Sequence, residues 1–319
     1  MGNERVKWID ITKGMLIVLV VAGHASSNTG FRDVISSFFM PCFFLLSGYV
    51  LSGKGTVWER LWKRVQTILL PYVAFSFILI AVSAARAWVT HGSYSVGSAL
   101  ISIVLPYPGR MGGSVYQLWF LPCLFLAQSI FDMLRCKGTI KLLGGVLWIL
   151  MLIAGIRLPH TSMLLAAAVA GIFILLGYYM KSRVALRFRW WVLVGSLAVF
   201  AISCGMNCGY LNHRIDFSGC NFGAFPLFLI SSIAGSICII QLAMWIQQWK
   251  VVEYIGKRSL YYYGLHYPVL SAAGFLCERI LGEGIICETV TFVLTLLGTT
   301  VAVFCYERAK KYIMEKKKQ

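Results

Sequence analysis

Three ionisable side chains stand in the first apolar stretch of the chain: Asp10, Lys13 and His24. Titratable groups in a lipid-facing stretch are costly, so they usually mark a site or a buried pair. On a helix the eleven positions from Lys13 to His24 carry the chain about 20° past three full turns, and Asp10 falls about 40° off the same line. The three share one stripe, with Lys13 and His24 about 16 Å apart along the axis. A neutral histidine at that depth can take a proton from a hydroxyl near neutral pH. A lysine toward the other end can attract a phosphorylated ligand as a point charge. Plainer readings compete with both. Asp10 and Lys13 can form an i,i+3 pair that snorkels to the interface, and His24 can bond to a neighbouring helix.

Four further segments add polar groups. Met40-Pro-Cys-Phe-Phe-Leu-Leu-Ser-Gly-Tyr49 contains Ser47-Gly48, small enough for another helix or a thin ligand to come close. Trp58–Val65 carries Arg60, Lys63 and Arg64, with the two arginines one turn apart. Taken alone, it reads as anchoring on the cytoplasmic side. Tyr116-Gln-Leu-Trp-Phe-Leu121 is the third. In the fourth, Tyr254-Ile-Gly-Lys-Arg-Ser-Leu260, Gly256 is expected to end one helix and Ser259 to cap the next, with His266 following. Pro41, Pro71, Pro122, Pro226 and Pro268 fall within apolar spans. They are expected to kink helices and so to widen a polar interior.

The elements that must position these residues are membrane helices. Of 319 residues, 59% are hydrophobic and 13% charged, whereas soluble domains average about 25% charged. The apolar runs are too long and too even for barrel strands. The expectation is one all-α polytopic domain over residues 1–319, crossing the bilayer about ten times with both termini cytoplasmic. The spans fall near Lys7–Ala25, Val34–Leu51, Gln66–Trp88, Ser114–Leu134, Ile140–Ile156, Met163–Met180, Trp190–Met206, Ala224–Trp249, Leu260–Leu281 and Thr289–Tyr306. Ser98–Leu105 is apolar but too short to cross.

The net charge of +17 does not mark a nucleic-acid binder, because the basic residues cluster between spans. With the N-terminus inside, all but six of the 29 Lys and Arg residues fall on the inner side; the exceptions are Arg32, Arg86, Arg110, Arg157, Arg214 and Arg279. That agrees with the positive-inside rule in every loop. The polar stripe on the first span argues against a cleaved leader. The ten cysteines include no CxxC pair, so no metal site is expected. Cys204, Cys208, Cys220, Cys277 and Cys287 fall near the outer face, where a disulfide can form.

Taken in order, these pieces resemble the acyltransferase 3 family of polytopic bacterial membrane proteins, and in particular its fucose 4-O-acetylase-like branch. The resemblance rests on Trp8-Ile-Asp-Ile-Thr-Lys-Gly14 through Gly23-His24, and on Met40-Pro with Phe43-Phe44 and Ser47-Gly-Tyr49. Leu70-Pro-Tyr72, Leu118-Trp-Phe-Leu121, and Tyr254-Ile-Gly with Ser259-Leu260 and His266 complete it. Residues 140–222 match in hydropathy alone. The resemblance implies acyl transfer, usually acetyl, from cytoplasmic acetyl-CoA to a hydroxyl of a surface or lipid-linked glycan. It places the protein in the bacterial cytoplasmic membrane, with acetyl-CoA as co-substrate and no permanently bound cofactor. It makes His24 the essential histidine, with Asp10 on the same stripe. Lys13 stands where the family often has Arg, and Arg60, Lys63 and Arg64 match the family's basic motif loosely.

In that setting Lys13, Arg60, Lys63 and Arg64 are the candidates for the donor phosphates. Ser47, Tyr116 and Trp119 are candidate donors to the oxyanion, and His266 lines the pocket. The outer segment Asn207–Phe222, with Asn212, His213, Arg214 and Asp216, reads either as a solvated loop or as a glycan contact. The competing function is transport of a small polar solute through the same polar interior, although no two-fold internal repeat is visible. Lipids are expected partners and nucleic acid is not.

Overall fold

The computed structural model describes residues 6–104, 115–158, 162–183 and 187–316. Arg5, Leu105, Arg110, Ser114, Lys317 and Lys318 lie outside them. In chain order the helices are α1 (Lys7–Ala25), α2 (Thr29–Ser36), α3 (Phe39–Val50), α4 (Val57–Arg64), α5 (Leu70–Val89), α6 (Val96–Val104) and α7 (Phe120–Leu134). There follow α8 (Gly138–Arg157), α9 (Ser162–Arg183), α10 (Trp190–Cys204), α11 (Phe225–Ile246), α12 (Lys250–Lys257), α13 (Ser259–Leu281) and α14 (Ile285–Lys316). Among the described residues there is no strand, only an isolated bridge between Asp216 and Asn221.

Nine helical stretches among the described residues are long and apolar enough to cross a membrane. The protein is therefore an all-α multi-pass membrane protein. About ten spans were expected. The one that falls short is α13: it has 23 residues, but Tyr261, Tyr262, Tyr263 and His266 make its first half polar. Two expected spans change their bounds. The second is α2 plus α3, broken at residues 37–38. The third is a continuous run, Val57–Val89, in which a π-helical turn at Val65–Leu69 joins α4 to α5.

The prolines correct the sequence reading. Pro41, Pro71, Pro122 and Pro226 are the second or third residues of α3, α5, α7 and α11. In a first turn the missing N–H costs no internal hydrogen bond, so Pro41, Pro122 and Pro226 start helices rather than bend them. Pro71 follows the π-helical turn inside the continuous run Val57–Val89, and Pro268 lies inside α13. The fourth segment is corrected too. Gly256 is within α12 rather than at its end, and Arg258 occupies the cap position before α13 without a side-chain bond, with Ser259 as the first helical residue.

The chain packs as two compact units, Met1–Ile35 with Leu242–Gln319, and Ser36–Gln241. In the first, α1 packs on α12, α13 and α14. Gly256 explains how: a Cβ there would sit 1.6 Å from the Asp10 carbonyl oxygen, and one on Gly14 would sit 2.0 Å from the Val252 carbonyl oxygen. Only glycine lets these two backbones meet so closely. Ile11, Ala243 and Val252 fill the seam with Met15 against them. The hairpin α13–α14 turns at Gly282 (φ 69°) and is tied by Tyr262 to Thr300 (2.7 Å) and by the ion pair of Arg258 with Glu307 (2.8 Å).

In the second unit the tightest pair is α3 and α9. A Cβ on Gly48 would meet the Ile174 carbonyl oxygen at 2.1 Å, and one on Gly177 the Leu45 carbonyl oxygen at 1.9 Å. The small pair Ser47-Gly48 thus admits a helix. Helix α4 opens with a reciprocal cap: Thr56 accepts from Glu59 N, and Glu59 accepts from Thr56 N.

Candidate active site

Each unit holds one polar constellation. In the first unit His24 lies in the last turn of α1 and keeps an exposed edge. Its ring centroid is 5.4 Å from that of His266 on α13, with the planes 32° apart, and 6.2 Å from Tyr267, which meets it edge-on. His266 is 1% exposed. Its Nδ1 lies 2.8 Å from the Tyr263 carbonyl oxygen and 3.2 Å from that of Tyr262. A carbonyl only accepts, so Nδ1 carries the proton and Nε2 is a bare lone pair. Among the described residues none donates to that Nε2, although it is buried. A buried acceptor without a donor is rare and asks for a reason. Here the reason at hand is a mobile proton or ligand hydroxyl close to His24.

Around the end of α1 the polar groups continue. Ser26 and Ser27 donate to the Glu288 carboxylate at the start of α14, the first at 3.2 Å. Asn28 accepts from Phe31 N and so starts α2 (2.9 Å). These contacts fix the chain just beyond His24.

Asp10 and Lys13 occupy the opposite end of α1. Asp10 is 2% exposed and Lys13 half-buried. Because α1 is one unbroken helix, Asp10 stands about 21 Å along the axis from His24. Asp10 therefore belongs with Lys13 at one end of the stripe and His24 stands at the other.

In the second unit Arg60 and Arg64 of α4 converge on Asp132 of α7, a carboxylate with no exposed surface. Arg60 Nε donates at 2.9 Å, Arg64 Nη2 donates to the same oxygen, and Arg135 Nη2 reaches the other oxygen at 2.5 Å. Arg64 Nε also donates to Gln128 (3.0 Å), and Arg60 to the Gly55 carbonyl (2.5 Å). Three guanidinium groups on one carboxylate leave two positive charges in excess. Arg64 Nη1 and Arg135 Nε are buried donors that no described residue accepts from. The arrangement suits a polyanion such as a phosphate or diphosphate, because guanidinium forks bind such oxygens in pairs. Lys63 is exposed and takes no part in the Asp132 cluster.

The expected oxyanion donors fare unequally. Ser47 donates to the Phe44 carbonyl (2.7 Å), so its hydroxyl is used within its own helix. Trp119 is 9% exposed and stacks on Phe217 (5.9 Å, 21°) in an aromatic core with Phe120. The buried Tyr116 hydroxyl lies beside Ser218 and Asp216. The segment Asn207–Phe222 exposes Asn212, His213, Arg214 and Asp216 to the surroundings and is anchored by a few buried residues. Asn207 is buried, donating to the Phe222 carbonyl (3.1 Å) and accepting from Ala224 N (2.9 Å), and Phe217 is core. All ten cysteines are free thiols. Cys204 and Cys208 are in van der Waals contact at 3.8 Å, and burial pushes the Cys220 thiol up to about 12.

Sequence reading missed Tyr267, Gln128, Asp132, Arg135 and Glu288. Asp132 carried a signal: it is an acidic residue at the end of the apolar run Phe120–Leu134, and such groups in membrane spans need partners.

A helical membrane frame with a histidine pair in one unit and an arginine cluster in the other defines the class: a multi-pass membrane protein with buried titratable groups. The family follows from comparison. Residues 6–306 match the acyltransferase 3 family, described as an acyltransferase domain, and the chain belongs to it as a membrane acyltransferase. It is also similar to nodulation protein NolL of Sinorhizobium fredii, 26% identical over 144 residues, which cover 41% of this chain and 37% of that protein. The chain thus spans little more than a third of the length of that relative. No solved structure matches.

Proposed function

We propose that this acyltransferase moves an acetyl group from acetyl-CoA to a hydroxyl of a surface or lipid-linked glycan at the bacterial cytoplasmic membrane, with both termini on the cytoplasmic side. The observation that carries the reading is His24 facing a buried His266 whose Nε2 has no described donor, within a chain of acyltransferase family. His24 takes the proton of the acceptor hydroxyl as that oxygen attacks the thioester carbonyl. The new C–O bond forms, the C–S bond breaks, and the imidazolium returns its proton to the departing CoA sulfur. His266 is a positioning residue. With its own Nδ1 proton spent on backbone carbonyls, its Nε2, open in this structure, becomes the acceptor for the His24 N–H when the acceptor hydroxyl docks, and so turns the other His24 lone pair toward it.

The donor carries phosphates, and in the second unit Arg60, Arg64 and Arg135 supply excess positive charge that suits them; in the first unit Lys13 is a further candidate cation. Family membership favours transfer over solute transport. The test is radiolabelled acetyl-CoA with the purified full chain in nanodiscs. Saturable binding, with slow thioester hydrolysis that falls in His24→Ala, is expected. No binding by well-folded wild-type protein would overturn the reading.

A further inference from the structure

Helix α8 is loosely held. Only 11% of its apolar window is buried. Two glycines anchor it: a Cβ on Gly144 would meet Met133 Cβ of α7 at 2.8 Å, and one on Gly155 would meet Leu165 Cβ of α9 at 2.5 Å. Beside α8 the helices α7 and α9 line a cleft of about 710 Å³. Trp148 bridges it, donating from Nε1 to the Ala168 carbonyl (3.2 Å). The floor is apolar, ending at Met151 and Ala167. From Lys137 to Met151 the trough runs about 20 Å along α8, enough for one chain of a leaflet whose apolar half is roughly 15 Å thick.

The other end is basic. Arg135, Lys137 and Lys141 line it, and no carboxylate does. The lysines are exposed. Arg135 lies flat over Tyr178 (4.7 Å to the ring centre) with its buried Nε unaccepted by any described residue. An apolar trough with a cationic mouth complements an amphiphile with an anionic head.

We propose that this cleft binds one anionic phospholipid of the surrounding leaflet, its phosphate against Arg135, Lys137 and Lys141 and one acyl chain in the trough beside Trp148. Lys137 and Lys141 belong to this site alone, whereas Arg135 is shared with the donor-phosphate reading of the proposed function. The site also links the lipid to the arginine cluster, since Arg135 shares Asp132 with Arg60 and Arg64.

The test reconstitutes the full chain in phosphatidylcholine vesicles containing a minority of chain-brominated phosphatidylglycerol or chain-brominated phosphatidylcholine. Quenching lost in Trp148→Phe reports occupancy of the trough. Stronger Trp148 quenching by the glycerol lipid is expected, with the preference falling roughly fivefold for each lysine removed in Lys137→Ala and Lys141→Ala. Equal quenching by both lipids, or none that depends on Trp148, would overturn the proposal. So would loss of the preference on adding free CoA, which would assign the cations to a soluble phosphate. Should Trp148→Phe fail to fold, phosphatidylglycerol retained by wild type and by Lys137→Ala/Lys141→Ala in native mass spectrometry decides the same point. Equal retention contradicts it.

Discussion

The histidine pair and the arginine cluster handle buried polarity in opposite ways. Around Asp132 each carboxylate oxygen is taken by a guanidinium, and the network is tied across α4 and α7. Around His24 the bonding is incomplete: His266 spends one nitrogen on backbone and leaves the other open. A carboxylate whose two oxygens are both taken holds helices and leaves spare guanidinium N–H groups to present charge, whereas an open histidine lone pair leaves a place for a proton to go. In the proposed function the second unit anchors charge and the first carries the chemistry. Variants should therefore separate stability from turnover.

The largest stability effect is expected at Asp132. Asp132→Asn leaves buried Arg64 and half-buried Arg60 and Arg135 without their counter-charge, which costs about 3–5 kcal/mol and shows as a large fall in melting temperature in detergent. A loss below about 1 kcal/mol would mean that the arginines are satisfied elsewhere. Next is Gly256→Ala, which forces a methyl group into the Asp10 carbonyl and costs about 1–3 kcal/mol. The control, Gly145→Ala, has its nearest neighbour at 4.0 Å and should melt as wild type or slightly higher. His266→Ala should leave the melt nearly intact and lower kcat roughly fivefold to tenfold, the worth of about one hydrogen bond. His266→Gln, which can still accept a hydrogen bond, should recover part of that loss; equal losses in both would remove the positioning role. The smallest effect is at Ser27→Ala, an exposed contact to Glu288, expected to stay within about 0.5 kcal/mol of wild type.

How much could be read beforehand follows the same division. The first helix was legible to the residue, Lys7–Ala25, because a long apolar run with polar flanks leaves little choice of ends. His24 and the Arg60–Arg64 pair were legible because each depends on spacing within one helix. Their partners were harder. Asp132 is 72 positions from Arg60, and periodicity carries no information about which helices meet. The prolines misled because a proline in a first turn and one in a helix interior look alike until the helix start is known. Gly256 misled similarly: a glycine that lets α12 touch α1 has the same sequence appearance as one that ends a helix. His266 was visible as a residue. That it faces His24 depends on how α1 packs against α13, which only the folded chain reveals.

The most direct test of the division is the steady-state kinetics of His24→Ala with acetyl-CoA as the varied substrate. Removing the base should lower kcat by about 10² to 10⁴ while the donor is still bound with an affinity within about twofold of wild type, and the melt is unchanged. A folded His24→Ala protein with wild-type kcat would contradict the central claim that chemistry resides at the histidine pair.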